Sequence, residues 1–221
     1  MVLADHNIPS CIFGEDALAH HGVPTGVFDP YLVVADTKLA TSKLMEAGYV
    51  RKEQPSAPIR IPEFSERYVF GSVASGESQV SPGNVEQTAV VLLSAAEWHY
   101  KMPESVETMT DCFPSLEALL DSIMRRWTDE TSGGLRGHLA VQISHCYLYI
   151  KDVNMPDFAT KLSKENQQLH YDQFAETDAA VLDTDVCQEH YRMVRTRIRS
   201  GEHEPTGGSF GVRRFPQEGQ P

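Results

Sequence analysis

The chain has 221 residues, 41% of them hydrophobic and 23% charged, a balance that favours one globular domain with a sizeable core. With 31 acidic against 19 basic residues the net charge is −12, which repels phosphate backbones and anionic membranes unless cations are gathered locally, so a nucleic-acid partner is not expected. No stretch approaches the ~20 apolar residues of a membrane span, so no membrane association is expected.

Cys11, Cys112, Cys146 and Cys187 form no C-x-x-C pair, which argues against a zinc knuckle or disulfide framework and fits a reducing, cytoplasmic setting. The opening MVLADHNIPSC has neither the basic n-region nor the apolar h-region of a secretory signal.

In chain order, Ile8 to Phe13 reads as a buried strand ended by Gly14, and Glu15-Asp16-Ala17-Leu18 opens a short helix with acids in its first turn. Gly22, Pro24 and Gly26 punctuate a turn, and Val27 to Val34 is expected to pair with the first strand. Pro30, which cannot donate to a ladder, implies that this second strand is an edge or carries a bulge. Asp36 is a plausible N-cap for a helix from Thr37 to Ala47, with Leu39, Leu44 and Met45 on its apolar side and Gly48 as the C′ residue. Tyr49 and Val50 open a third strand, and Arg67 to Val73 is a candidate hairpin arm within a weakly patterned stretch from Arg51 to Glu86. Thr88 to Leu93 (TAVVLL) has the continuous apolar, β-branched character of a central strand covered on both faces.

Helical periodicity follows. Ser115 caps a helix bearing Leu116, Leu119, Leu120, Ile123, Met124 and Trp127 at helical spacing. Gly133-Gly134 separate it from a second helix over Leu135 to Ile150, with Leu139, Ile143 and Cys146 or Tyr147 on one side. A third is expected around Phe158 to Glu176 and a fourth about Asp178 to Arg199, the latter with Val181, Leu182, Val186 and Val194 as its apolar residues. The chain is therefore expected to be α/β (α+β): a sheet region over 1–100, a helical region over 101–199 packed on it, and a Gly- and Pro-rich disordered tail over 200–221.

Several polar constellations have both a bland and a functional interpretation. The basic run Arg192, Arg195, Arg197 and Arg199 is expected to complement the negative pole of a helix end, with a phosphate patch as the alternative. His20-His21 is a surface pair or a pair beside a site, and His138 and His145 share a helix face but lack further zinc ligands. Glu165, Asn166, Gln168, His170 and Asp172 make the third helix unusually polar, as expected of a solvated face or, alternatively, of a cleft lining. Ser144-His145 and Ser209 lack any nucleophile-elbow context, and GGSFG lacks the helix and lysine of a phosphate loop.

The segment Ile8 to Tyr49 contains, in order, Phe13-Gly14-Glu15, Ala17-Leu18, Gly22, Phe28-Asp29-Pro30-Tyr31 and Leu39 to Gly48. It resembles the opening of the nucleotidyltransferase superfamily, which runs strand, glycine and small residue, short helix, then a strand with two carboxylates one residue apart. It also resembles a group of uncharacterised proteins from filamentous fungi that share this opening and a helical C-terminal half. The resemblance implies a small mixed sheet of nucleotidyltransferase-like topology, phosphate contact at Gly14 and the two residues after it, and divalent ions, Mg²⁺ if active, held by carboxylates. Here Glu15 and Asp16 occupy positions where negative charge repels a triphosphate, Asp29 alone fills the first carboxylate position, Tyr31 stands in the second, and the strand expected to carry the third has none.

The implied function is a nucleotidyltransferase-fold protein with an incomplete carboxylate set, acting as a binding or accessory protein for a small molecule or nucleotide. Glu15, Asp16 and Asp29 would then bind a cation or amine, and Asp29 alternatively serves only as a turn residue beside Pro30. The alternatives are an active metal-dependent transferase or acyl-activating enzyme using Asp29 with Glu15 or Asp16, and a protein-interaction module working through an apolar patch on residues 115–199.

Overall fold

A computed structural model describes residues 2–26, 29–52, 67–70, 89–106, 112–155, 157–175, 182 and 184–207. The chain divides into two compact units, Met1–Leu119 and Leu120–Pro221.

The first unit contains α1 (Val2–Asp5), β1 (Ser10–Phe13), α2 (Gly14–His20), β2 (Tyr31–Val34), α3 (Thr37–Glu46), β3 (Tyr49–Lys52), β4 (Arg67–Phe70) and β5 (Ala89–Ser94). Among the described residues the strands form one mixed sheet in the order β1-β2-β5-β4-β3, with β2 and β5 parallel and the other pairs antiparallel. The expected small mixed sheet is present, and the TAVVLL run lies inside it between β2 and β4. The inference from Pro30 fails. β2 lies between β1 and β5, but it starts one residue after the proline, and Val91 N donates to the Pro30 carbonyl at 3.0 Å. The missing N–H therefore costs the ladder nothing.

All four residues of β2 are buried, as a central strand requires. Leu32 and Val34 point to one face, where they join Leu3, Ile8, Ala40, Leu44 and Leu92 in a single cluster. Each fully buried aliphatic side chain of this kind contributes about 2 kcal/mol relative to its exposed state. α3 begins where Asp36 Oδ1 accepts from Leu39 N at 3.0 Å and ends before Gly48 at φ 91°. Its apolar side is narrower than periodicity implied: Ala40 and Leu44 are buried, whereas Leu39 and Met45 are 46% and 55% exposed. On the opposite face Phe13 meets Trp98 and Tyr100 edge to face, with centroids 5.3 and 5.5 Å away.

The second unit is helical, containing the rest of α4 (Leu116–Asp129), then α5 (Gly133–Tyr149), α6 (Lys164–Ala175) and α7 (Asp185–Arg199). α4 follows its periodicity, with Leu119, Leu120, Ile123, Met124 and Trp127 buried and Ser115 Oγ accepting from Ala118 N. α5 is buried around most of its circumference, as expected of a helix with one charged residue in its sequence. It begins at Gly133, so the glycine pair opens the helix and does not separate it from its predecessor. The expected third helix is two pieces, a 3-10 turn (Phe158–Lys161) and α6. They part at Ser163, whose N–H and hydroxyl both donate to Asp121 Oδ1, at 2.8 and 2.6 Å. α7 starts at the Thr184 cap, Val186 is 60% exposed and outside its apolar face, and the expected start near Asp178 with Val181 lies outside the described residues. Residues 201–207 follow it, and the rest of the expected tail, 208–221, is likewise outside them.

The α4 C-terminus shows how a helix end is satisfied when it is not exposed. Its last carbonyls have no intrahelical donors. Gln188 Nε2 donates to Trp127 O and Glu130 O at 2.6 and 2.7 Å, and Arg192 donates to Thr128 O and Glu130 O at 2.7 and 2.9 Å. Arg195 pairs with Asp129 and Arg199 with Glu165. Three of the four arginines of the basic run are thus engaged with α4 and α6. Arg197 and Arg199 also stand in the last turn of α7, where their charge complements the negative pole of their own helix as expected.

Candidate functional site

β1 delivers the chain into Gly14, the first residue of α2, at φ +63°. Only glycine adopts that conformation without strain. The antiparallel register sets Phe13 opposite Tyr31, so Gly14 arrives beside the start of β2. A Cβ on Gly14 would lie 2.7 Å from Tyr31 Cδ2 and 3.3 Å from Cγ. The glycine therefore admits the flat of a tyrosine ring, which is itself only 8% exposed.

Glu15 and Asp29 are buried to nearly the same degree, at 6% and 7% exposure, one in the first turn of α2 and the other two residues before β2. Asp16 is half-buried, and its Oδ2 is buried without a hydrogen-bond partner. Burial raises the Asp16 pKa above the ordinary carboxylate value, and the neighbouring Glu15 charge raises it further. Accumulated negative charge of this kind opposes a polyphosphate. Across the parallel pair, Tyr31 is opposite Val91, so the strand next to it offers an apolar side chain and no carboxylate.

These residues do not fit a two-ion centre. Asp29 is present, but Tyr31 and its register partner Val91 offer no carboxylate beside it, and hard divalent ions prefer charged oxygen. Among the described residues, no group of three or more His, Cys, Asp or Glu side chains is placed to hold a metal ion. The expected convergence of Glu15, Asp16 and Asp29 into a three-carboxylate cation site is therefore not realised as such a group.

The histidines have structural work. His20 stacks on Phe113 at 4.2 Å and 9°, and His21 Nε2 donates to the Pro114 carbonyl at 2.9 Å. Ile12 N donates to Cys112 O at 2.7 Å. Together these contacts tie residues 112–114 along β1, which is an edge strand of the sheet among the described residues. On α5, His138 meets Gln142 at 3.0 Å and His145 lies 5.6 Å from the Tyr149 ring.

The polar helix α6 departs most from expectation. Asn166, Gln168, His170 and Asp172 are buried, not solvated. Asn166 Nδ2 donates to Asp121 Oδ1 at 2.9 Å. Gln168 Nε2 donates to Asp172 Oδ1 at 3.0 Å, while Gln168 Oε1 accepts from Thr206 N at 3.1 Å. Tyr191 OH donates to Asp172 Oδ2 at 3.0 Å, and His170 Nδ1 lies 2.8 Å from Tyr147 OH. Desolvation pushes Asp172 up to about 6 and His170 down to about 4. The low apolar content of α6 was the available sign, but it does not reveal which partners are supplied.

An open recess of about 450 Å³ on α7 is lined by Asp185, Val186, Glu189, His190 and Met193. No described helix is long and apolar enough to cross a membrane. In comparisons with known proteins, the chain matches no family model, no curated protein and no solved structure.

Proposed function

We infer that the sheet unit is a nucleotidyltransferase-like scaffold without two-ion transfer chemistry, used as a binding or accessory protein for a compact amine ligand. The observation that carries this is the Tyr31 ring against Gly14, 2.7 Å from where a Cβ would stand. In a phosphate-binding turn the glycine face has to remain open to the ligand. Here an aromatic side chain occupies it, in the same position where the resemblance requires a second carboxylate. The acids Glu15 and Asp16 in the first turn of α2 favour positive over negative ligands on the same grounds.

Pyrophosphate release separates this proposal from an active enzyme. The purified chain incubated with Mg²⁺ and each of the four nucleoside triphosphates is expected to release none above background, and Asp29→Ala is expected to change nothing. Release that disappears in Asp29→Ala would establish instead a transferase using Asp29 with Glu15 or Asp16.

A further inference from the structure

We propose that the open recess on α7 is the docking site of this chain's own segment 208–215. This is independent of the nucleotidyltransferase proposal. Chain direction is the first argument. Lys164 Nζ donates to Glu204 Oε1 at 2.7 Å, Thr206 N donates to Gln168 Oε1 at 3.1 Å, and a Cβ on Gly207 would lie 3.7 Å from Tyr171 Cε1. These partners advance along α6, so residues 204–207 run toward its C-terminal end. α7 lies antiparallel to α6, since Arg199 meets Glu165 and Tyr191 meets Asp172. Gly207 is therefore level with the middle of α7 and directed toward its N-terminal half, where Asp185, Val186, Glu189, His190 and Met193 line the recess.

Charge and apolar content identify the occupant. The recess sets two carboxylates, Asp185 and Glu189, beside the exposed apolar side chains of Val186 and Met193. Asp185 is paired with Arg136 and Glu189 lies 3.6 Å from Arg192, yet the two acidic side chains are 86% and 62% exposed and can accept further donors. The segment 208–215 reads GSFGVRRF. Phe210, Val212 and Phe215 supply apolar side chains around Arg213 and Arg214, the only basic residues after Gly207. A guanidinium forks onto a carboxylate, so acids and apolar groups on α7 meet cations and apolar groups on the segment. Reach suffices. Phe210 and Phe215 stand three and eight residues beyond Gly207, spans of up to about 10 and 27 Å, against about 12 Å from Asp185 to Met193 along the helix. So short a tether presents the segment at an effective concentration on the order of millimolar, which a separate protein of the same chemistry does not reach.

Trypsin, which cuts after Arg213 and Arg214, reads the docking in the full chain, with a synthetic peptide of residues 208–221 as the undocked reference. Cleavage at these two arginines in the wild type is expected to be about tenfold slower than in the peptide, the protection that a weak contact gains at millimolar effective concentration. Glu189→Gln combined with Met193→Ser, both at exposed positions, should retain the wild-type melting transition and bring the rate close to that of the peptide. Phe210→Ser, made on the segment itself, should do the same. Wild-type cleavage as fast as that of the peptide would overturn the proposal. So would protection that either variant leaves intact, or protection that disappears on dilution, which would assign the contact to a second copy.

Discussion

The helical and sheet units both hold buried or half-buried carboxylates, but they place them differently. In the helical unit, Asp121 accepts from Ser163 and Asn166, Asp172 from Gln168 and Tyr191, and Glu130 from the Thr131 and Ser132 N–H groups. Each of these acids organises a helix end or a helix pair. In the sheet unit, Glu15 and Asp16 follow Gly14 in the first turn of α2, Asp29 lies two residues before Tyr31, and Val91 stands opposite that tyrosine. The first arrangement is what a fold needs in order to bury polar groups. The second sets acids beside a left-handed glycine at an element junction, a conformation that only glycine adopts without strain.

The largest effect that would sharpen this contrast is expected at Gly14. Gly14→Ala combines an unfavourable φ with a clash on the Tyr31 ring and should cost about 3 kcal/mol in denaturant unfolding. In a double-mutant cycle, Tyr31→Ala should make the same glycine substitution markedly less costly. Additive effects would mean that the ring and the glycine do not interact. In the helical unit, Gln188→Ala removes two buried donors from the α4 C-terminus and should cost about 2 kcal/mol. A change within ±0.5 kcal/mol would show that water replaces the glutamine readily.

The pH dependence of stability offers a subtler test. Asp172, raised to about 6 in the folded chain, binds more protons folded than unfolded, so its contribution is fully present below the unfolded carboxylate value and is lost as pH rises through about 6. His170, lowered to about 4, binds fewer protons folded, so its contribution is present above the ordinary imidazole value and is lost as pH falls through about 4. The two slopes oppose each other between about pH 4 and 6. Asp172→Asn should therefore leave stability rising with pH across that window, and His170→Gln should leave it falling. Each slope is on the order of 1–2 kcal/mol across the window after discounting for solvent screening. Parallel slopes in the two variants would refute the assignment. The smallest effect is expected on α3, where Asp36→Ala removes one N-cap bond and should lower stability by about 1 kcal/mol.

Much of the sheet unit was legible because its signals are local. The TAVVLL run, the Asp36 cap and Gly48 each act within a few residues, and β5 and α3 lie where they indicate. Pro30 misled because the strand begins at the very next residue, Tyr31, a boundary that periodicity does not resolve. Leu39 and Met45 misled because a short helix needs only part of its apolar residues for contact with the sheet. At the candidate site the residue types were readable, but the approach of Tyr31 to Gly14 depends on the β1–β2 register and was not.

The polar interior of α6 was hidden for a physical reason. Asp172 is satisfied by Tyr191, 19 positions away, and Gln168 by Thr206, 38 positions away. A polar helix face with distant partners and one with none have the same local sequence. Burial and solvation differ only in what the rest of the chain brings to them.

The most direct test of the central claim, that the glycine turn is closed to phosphate by Tyr31, is calorimetric titration of the full chain with the four Mg²⁺-nucleoside triphosphates, alongside Asp29→Ala. No binding heat for any nucleotide in either protein is the predicted result. Saturable binding that is lost in Asp29→Ala would contradict it and restore the nucleotide site.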